Sequence, residues 1–266
     1  DRLGLQTLDD IKMCLNLVYD RGKLDRKKGI FVKEGYDRNW SDESYLNDID
    51  ALNAASAGLT NGCFQFDSPG IRKLLTQINI DHFREMVAAN AMYRPGVLKA
   101  VIDGVEGGHI AYCKRKHGEI QYSIPEPLRE LLQDTYGLLL FQEQVMRCLN
   151  IIGLIPLPDC EAVRKAISKK KMDVVNRIKV PFCKNASKTV GMSYDEAERF
   201  FDDNIVTWSG YGFNLSHSLA YAIVAMRTLY LKVHYPIEFF CAFMSSIKRD
   251  KKGYEKLRTF AADAAR

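Results

Sequence analysis

The chain has 266 residues, of which 47% are hydrophobic and 27% charged, and its formal net charge is +5. This composition excludes a disordered, collagen-like or coiled-coil chain and is sufficient for one or two domains with a sizeable core. No apolar run approaches the ~20 residues that span a bilayer, and the N-terminus has no signal-peptide pattern, so we expect no membrane partner.

The first predicted elements are a helix, a loop and two further helices. Apolar residues at helical spacing predict a helix over Leu8–Tyr19. Residues 20–40 are charged and punctuated by glycine, which predicts an exposed loop. Ser41 is a candidate N-cap for a helix that ends near Ser56, and Ser68 followed by Pro69 predicts the start of another.

The rest of the chain is also predicted to be mostly helical. Leu138–Phe141 is the one candidate for a short strand. Because no strands alternate with helices, the pattern excludes Rossmann and barrel folds and indicates a mainly α fold with a few short strands. The helices are predicted over 69–78, 81–92, 127–134, 142–152, 159–168, 172–189, 194–206, 216–234, 236–247 and 253–265.

The seven cysteines are scattered along the chain. The two nearest, Cys148 and Cys160, are twelve residues apart, which excludes a CxxC zinc or redox motif. An odd number of dispersed cysteines is typical of reduced thiols, so we predict a cytoplasmic location. The chain begins at Asp1 rather than at a methionine, which suggests a piece of a longer protein.

Positive charge is concentrated in two places. Residues 164–188 contain nine Lys or Arg residues and one acid, Asp173, and a smaller basic cluster lies at Lys114, Arg115 and Lys116. Basic clusters on an otherwise balanced chain favour contact with phosphate groups. The alternative is a charged helix face that only contacts water.

The segment from Tyr211 to His217 combines a glycine turn, two aromatic rings and a predicted helix start. Aromatic faces at Tyr211 and Phe213 can stack on a base, and a helix N-terminus favours an anion. The alternative is a helix start with core aromatics.

Arg164 and Lys165, followed by Lys169, could clamp a triphosphate. Arg94-Pro95-Gly96 is interpreted as a turn, and Gln142-Glu143-Gln144 as a polar cluster without a specific role.

Read in order, these motifs resemble the C-family bacterial DNA polymerases, which include the polymerase III alpha subunits. The most specific block is Gly210–His217 with its continuation through Pro236. Leu215, Ser168 and Lys165 depart from the family pattern. The matching segments are 1–8, 64–71, 88–96, 115–118, 136–146, 164–171, 210–221 and 230–239.

The resemblance implies a domain organisation and a metal site. Residues 1–8 would be the C-terminal end of an α/β palm, and 9–266 would be a multi-helix fingers domain. Asp1 would be a catalytic ligand for Mg²⁺, two ions of which serve the complete enzyme. Because one carboxylate cannot hold two metal ions, the 266 residues alone are expected to be inactive.

The resemblance also implies roles for individual residues. Those implied to bind nucleotide are Arg164, Lys165, Lys169, Tyr211, Phe213, Asn214 and His217. The basic residues Lys114, Arg115, Lys116, Lys170 and Lys171 are assigned to DNA.

The resulting hypothesis is a DNA-templated DNA polymerase that transfers a nucleotide from a dNTP to a primer 3′-hydroxyl in bacterial-type replication. The expected partners are primer–template DNA and dNTP and, in the complete enzyme, a sliding clamp and other replisome subunits. Two alternatives stay open. One is a non-catalytic nucleic-acid-binding module derived from polymerase fingers; the other is a helical interaction domain, which would not bind DNA even at low salt.

Overall fold

The computed structural model describes residues 6–22, 24–25, 30–33, 36–39, 43–102 and 104–265. The expectation of a mainly α fold is confirmed. The helices are α1 Gln6–Asp20, α2 Ile49–Ser56, α3 Pro69–Ile78, α4 Phe83–Met92, α5 Pro95–Leu98, α6 Gly108–Lys116, α7 Arg129–Leu132, α8 Gln142–Gly153, α9 Leu157–Ser168, α10 Met172–Thr189, α11 Tyr194–Phe200, α12 Thr207–Tyr211, α13 Leu215–His234, α14 Pro236–Ser245 and α15 Lys251–Ala264. The strands are β1 Leu24–Asp25, β2 Ile30–Lys33, β3 Tyr36–Asn39, β4 Val101–Ile102 and β5 Val105–Glu106.

The chain divides into two compact units. The first unit comprises residues 1–86 and 220–266, and the second comprises 87–219. Within the described ranges, no helix is both long enough and apolar enough to cross a bilayer.

In the first unit, α1 packs against α14. Three apolar residues of α1, Ile11, Cys14 and Val18, recur at helical spacing and are buried. Arg21, just beyond the end of α1, pairs with buried Glu238 of α14 at 2.9 Å. The apolar stripe predicted over Leu8–Tyr19 is therefore the face that joins these two helices.

The C-terminal helix α15 is fixed to the first unit by a buried ion pair. Lys232 Nζ lies 2.5 Å from Asp263 of α15 and also donates to the backbone oxygen of Leu59 at 2.9 Å. The ring of Phe260 covers Gly62, where an added Cβ would collide with it. An ion pair, a backbone hydrogen bond and the packing of an aromatic ring thus connect α15 to the rest of the first unit.

The start of α2 differs from the prediction. Ser41 lies outside the described residues, and a 3₁₀-helix at Glu43–Asn47 precedes α2. The N-cap is Asp48, whose carboxylate accepts from Ala51 N at 3.0 Å and lies 2.8 Å from His234 Nε2. The Asp48 side chain therefore supplies the N-cap that the sequence analysis had assigned to Ser41.

The loop predicted over 20–40 is also wrong in part. Its described residues include β1, β2 and β3, which form an antiparallel sheet in that order. The run Ile30-Phe31-Val32 in β2 consists of β-branched and aromatic residues, which favour extended backbone. The surrounding charges and glycines obscured this short run in the sequence.

In the second unit, α8 packs against α9 and α10. Its buried face contains Val145, Cys148, Leu149 and Ile152. On α10, Phe182 is fully buried and packs edge-on against Phe201 with ring centroids 5.1 Å apart. These helices and their buried side chains form the core of the second unit, which also contains the candidate site.

Several short elements of the second unit were not predicted. The expected helix over 194–206 continues beyond α11 as a π-helix at Phe201–Val206. The strand expected at Leu138–Phe141 is absent from the described structure, because only Phe141 pairs, in a single parallel bridge with Phe213. The predicted palm segment 1–8 falls mostly outside the described residues, and residues from Gln6 onward belong to α1.

Candidate functional site

The predicted site residues fall into two groups. Asp1, the predicted catalytic residue and Mg²⁺ ligand, lies outside the described residues. All the others lie in the second unit. The candidate site is therefore described from residues 87–219 alone.

A cleft of about 490 Å³ in the second unit brings together Lys170 and Tyr211, two residues that the sequence assigned to different motifs. Lys99 and Gly210 also line it, and an added Cβ at Gly210 would meet only open space. The cleft thus combines two exposed ammonium groups with an aromatic side chain and an accessible backbone. Such a combination suits an anionic ligand that carries a flat ring.

Arg94 holds the turn that carries Tyr211. Its Nη2 donates to the backbone oxygen of Tyr211 at 2.5 Å, and its Nε donates to that of Ala91 at 2.7 Å. The guanidinium lies 4.6 Å from the centre of the Phe213 ring, and burial lowers the pKa of Arg94. The sequence identified only a turn at this position; Arg94 in fact positions both aromatic residues of the motif.

Two glycines allow the same turn to pack closely. An added Cβ at Gly96 would lie 3.1 Å from the Tyr211 ring, so the ring rests on bare backbone. At Gly212, an added Cβ would lie 3.0 Å from the Trp208 backbone oxygen and 3.1 Å from Gln142 N. A side chain at Gly212 would therefore crowd backbone atoms on both sides of the turn.

The backbone of Phe213 is paired with the segment before α8. Phe213 N donates to Leu140 O at 2.9 Å, and Gln142 N donates to Phe213 O at 2.8 Å. The Gln142 side chain adds a bond from Nε2 to Gly212 O at 3.1 Å. Gln142, assigned no specific role from the sequence, thus fixes the turn from the other side.

The N-terminus of α13 is capped by protein side chains. Asn214 Oδ1 accepts from His217 N at 2.8 Å, and Glu143 accepts from both Leu215 N and the Asn214 amide at 3.0 Å. Asn214 and Glu143 thus occupy amide donors at the helix start, which the sequence had suggested for an external anion. The His217 ring packs edge-on against Phe213, with centroids 5.5 Å apart.

Arg164 is buried, with 8% of its side chain exposed, and fully engaged with neighbouring groups. Its Nε and Nη2 form a fork on Glu161 at 2.9 and 3.1 Å, and Nη1 donates to Ser209 O at 3.2 Å. Lys165 Nζ lies 3.0 Å from the same carboxylate. Hydrogen bonds from Arg164 and then Lys165 lower the pKa of Glu161 to about 2.

The lysines that follow α9 are exposed to solvent. Lys169 ends α9, and Lys170 has a left-handed backbone with φ of 53°. This conformation turns the chain at the edge of the cleft, which Lys170 lines. Lys165, Lys169 and Lys171 are exposed as well but are not among the residues that line the cleft.

The second basic cluster lies in the last turn of α6. Arg115 Nη1 donates to Tyr136 O at 2.9 Å, and its guanidinium lies 5.2 Å from the centre of the Tyr122 ring. Arg115 also lines a smaller cleft of about 330 Å³ with Asp203 and Asn204. Lys114 and Lys116 are half-buried on the same turn.

The two clefts adjoin each other. Both are lined by Val101, from β4, and by Thr207, the first residue of α12. The π-helix at Phe201–Val206 contributes to both, and such elements often occur at functional sites. Sequence reasoning missed Lys99, Arg94 and Glu161, none of which belongs to a motif that marks a ligand by spacing alone.

Within the described ranges, one group of His and acidic side chains is close enough to hold a metal ion, namely Asp48, Asp50 and His234 in the first unit. Their candidate ligand atoms lie within 4.8 Å of one another. The buried carboxylate of Asp48 already caps α2 and contacts His234. Asp48 and His234 are therefore already engaged with each other and with the N-terminus of α2.

Comparison with known proteins gives one consistent result. A sequence profile described as the bacterial DNA polymerase III alpha subunit finger domain matches residues 7–190. The chain is 35% identical to the DNA polymerase III subunit alpha of Aquifex aeolicus over 255 residues, which are 95% of the chain and 20% of that protein. It is 35% identical to the DNA polymerase III subunit alpha of Bacillus subtilis, over 93% of the chain and 20% of that protein. It is 32% identical to the subunit alpha of Escherichia coli K12, over 92% of the chain and 20% of that protein. The chain therefore spans about a fifth of the length of the relatives it matches.

Proposed function

The chain belongs to the finger-domain family of bacterial DNA polymerase III alpha subunits, and on that premise we propose that it binds the incoming dNTP and template DNA for a DNA-templated DNA polymerase. The complete enzyme would transfer a nucleotide to a primer 3′-hydroxyl. For that enzyme we also propose a role in bacterial-type replication with a sliding clamp and other replisome subunits.

The observation that carries this proposal is the cleft where Lys99 and Lys170 meet Tyr211. A dNTP has a polyphosphate that attracts ammonium groups and a base that stacks on an aromatic ring. We assign the phosphates to Lys170, with Lys165 and Lys169 nearby in sequence on and after α9. Tyr211 takes the base, and Arg94 and Phe213 keep its turn in position.

In this scheme the described residues bind the dNTP and the template DNA and hold them in position. In the complete enzyme, two Mg²⁺ ions would activate the primer hydroxyl and neutralise the leaving phosphate. Asp1 is proposed as one of their ligands. For the 266 residues themselves we propose binding of dNTP and of template DNA.

The DNA surface is proposed from the second cleft and its surroundings. Lys114, Arg115 and Lys116 lie together on α6, and Arg115 lines a cleft that adjoins the first. Lys171 follows Lys170 at the exposed turn after α9. Lysine and arginine contact mainly the phosphates of the DNA backbone, so the affinity for DNA should fall as the salt concentration rises.

The test is binding of dATP and of a primer–template duplex to the 266-residue chain, at about 50 and 200 mM salt. We expect salt-sensitive DNA binding by the wild type and about tenfold weaker dATP binding by Lys170→Ala/Tyr211→Ala. Lys184→Ala, which removes an exposed charge from α10 outside the cleft lining, should bind dATP as the wild type does.

The other outcomes separate the alternatives. Salt-sensitive DNA binding without any dATP binding would favour a non-catalytic nucleic-acid-binding module. A folded chain that binds neither ligand at the lower salt concentration would exclude the proposed function.

A further inference from the structure

The Glu161 carboxylate binds both Arg164 and Lys165, the two residues predicted to contact phosphate. Glu161 accepts from Arg164 Nε and Nη2 and lies 3.0 Å from Lys165 Nζ. All three residues are on α9, so the arrangement follows from i, i+3 and i, i+4 spacing. A phosphate group is also bound by such charged donors, because it offers acceptor oxygens in a similar fork.

The two cations differ in how freely they can exchange partners. Arg164 is buried and also donates to Ser209 O, next to Gly210 of the cleft. The Lys165 side chain is 62% exposed, and its ammonium is on a flexible stem. Lys165 is therefore the cation of the pair that can exchange partners, while Arg164 keeps Glu161 in place.

We propose that Glu161 is an internal anion that holds Lys165 until the triphosphate of a nucleotide displaces it, so that Glu161 sets the affinity of the nucleotide site. Arg164 is then a positioning residue that anchors Glu161 to α12 through Ser209. The inference rests on the proposed function, since it requires a nucleotide triphosphate to bind beside α9.

Calorimetric titrations with dATP and with inorganic tripolyphosphate test this inference. Glu161→Gln keeps an acceptor for Arg164 but removes the charge that competes with phosphate. We expect about fivefold tighter binding of both ligands by this variant. Asp159→Asn is the matched control, because it removes an exposed negative charge from the same helix without touching Lys165; it should change affinity less than about twofold.

A second variant separates displacement from a general charge effect. In a Lys165→Ala background, Glu161 has no ammonium to release, so Glu161→Gln should improve affinity no more than Asp159→Asn does. Equal gains with and without Lys165 would overturn the proposal.

A spectroscopic measurement follows Glu161 itself. In the free chain the pKa of Glu161 is lowered to about 2, mainly by its hydrogen bond with Arg164. Bound tripolyphosphate removes the Lys165 hydrogen bond and adds a neighbouring negative charge, so the pKa should rise. The ¹³C shift of the Glu161 carboxyl, titrated with and without tripolyphosphate, measures this, and an unchanged titration in the bound state would contradict displacement.

The outcomes distinguish this inference from the proposed function. Weaker ligand binding by Glu161→Gln, or a gain equal to that of Asp159→Asn, overturns the inference while wild-type binding of dATP keeps the proposed function. If neither the wild type nor Glu161→Gln binds dATP, the nucleotide site and the inference both fail.

Discussion

At the scale of single residues, Arg94 joins parts of the chain that are far apart in sequence. Its guanidinium bonds to Tyr211 O and lies over the Phe213 ring, more than a hundred positions away. Planar geometry allows both contacts at once, because the edge donates hydrogen bonds while the face meets the ring. Lysine cannot reproduce this combination.

Arg94→Ala should therefore lower the free energy of unfolding by about 2 kcal/mol, through the lost backbone bonds and cation–π contact. Arg94→Lys should recover less than half of this loss. Urea denaturation measures both, and Arg129→Ala, which removes an exposed ion pair with Glu126, should cost less than about 0.5 kcal/mol. An Arg94→Ala variant as stable as Arg129→Ala would show that the turn does not depend on this residue.

Glu161 should make stability depend on pH. Its pKa in the folded chain is lowered to about 2, so its contribution is complete above the ordinary carboxyl pKa and is lost as pH falls towards 2. Because the side chain is partly exposed, we expect less than about 1 kcal/mol. The stability difference between wild type and Glu161→Gln, from urea unfolding at pH 6, 4 and 3, should shrink with falling pH. Parallel pH profiles would contradict this.

The sequence located the aromatic residues of the site but not the residues that hold them. Tyr211, Phe213 and His217 belong to a segment whose own spacing marks a turn and a helix start. Arg94 and Gln142 act through tertiary contacts with that segment, and nothing in their own neighbourhoods indicates a partner. The charge cluster was visible around Arg164, but the pairing of Arg164 with Glu161 was overlooked although the i, i+3 spacing could have suggested it.

At the scale of elements, the end of α12 contains two glycines with different structural requirements. Gly210 faces open space, whereas Gly212 lies against the backbone of Trp208 and Gln142. Neither glycine has a positive φ, so an alanine substitution at either position tests packing and not backbone strain. Backbone atoms cannot move aside as a flexible side chain can.

Gly212→Ala should consequently destabilise the chain by about 1–3 kcal/mol, since an added methyl group separates the turn from α8. Gly210→Ala, two residues earlier, should be neutral or slightly stabilising because alanine favours helix. Thermal unfolding of both variants provides the comparison. Equal melting temperatures would mean that the close contact at Gly212 is relieved at no cost.

Long helices with an apolar stripe were predictable, and short ones were not. α3 has the predicted bounds, with Pro69 at its first position and buried Ile71, Leu74, Leu75 and Ile78 on one face. α5 and α12 have only four and five residues, too few for a periodic pattern to stand out. α6 begins at Gly108, within a stretch between residues 92 and 127 for which no helix was predicted.

At the scale of the whole molecule, Lys232 connects α15 with the first of the two stretches of sequence that form the first unit. Lys232 and Asp263 form an ion pair in which both side chains are less than 10% exposed. Lys232 also donates to backbone oxygens at Leu59 and Asn61. Removing the lysine would leave a buried carboxylate without this partner.

Lys232→Ala should thus cost about 3 kcal/mol and reduce hydrogen-exchange protection in α15. Lys252→Ala removes an exposed charge from α15 itself and should leave this protection unchanged. Exchange measured by mass spectrometry resolves the helix. Unchanged protection in Lys232→Ala would show that Phe260 and its neighbours suffice to hold α15.

The division of the first unit into two stretches also affects the order in which the molecule is completed during synthesis. Within this chain α1 leaves the ribosome before α14, which packs against it and emerges only after the whole second unit. At elongation rates of about 5–20 residues per second this delay is roughly 10–40 s. During that time the apolar face of α1 lacks its α14 partner, which makes this face a target for chaperones that bind apolar segments.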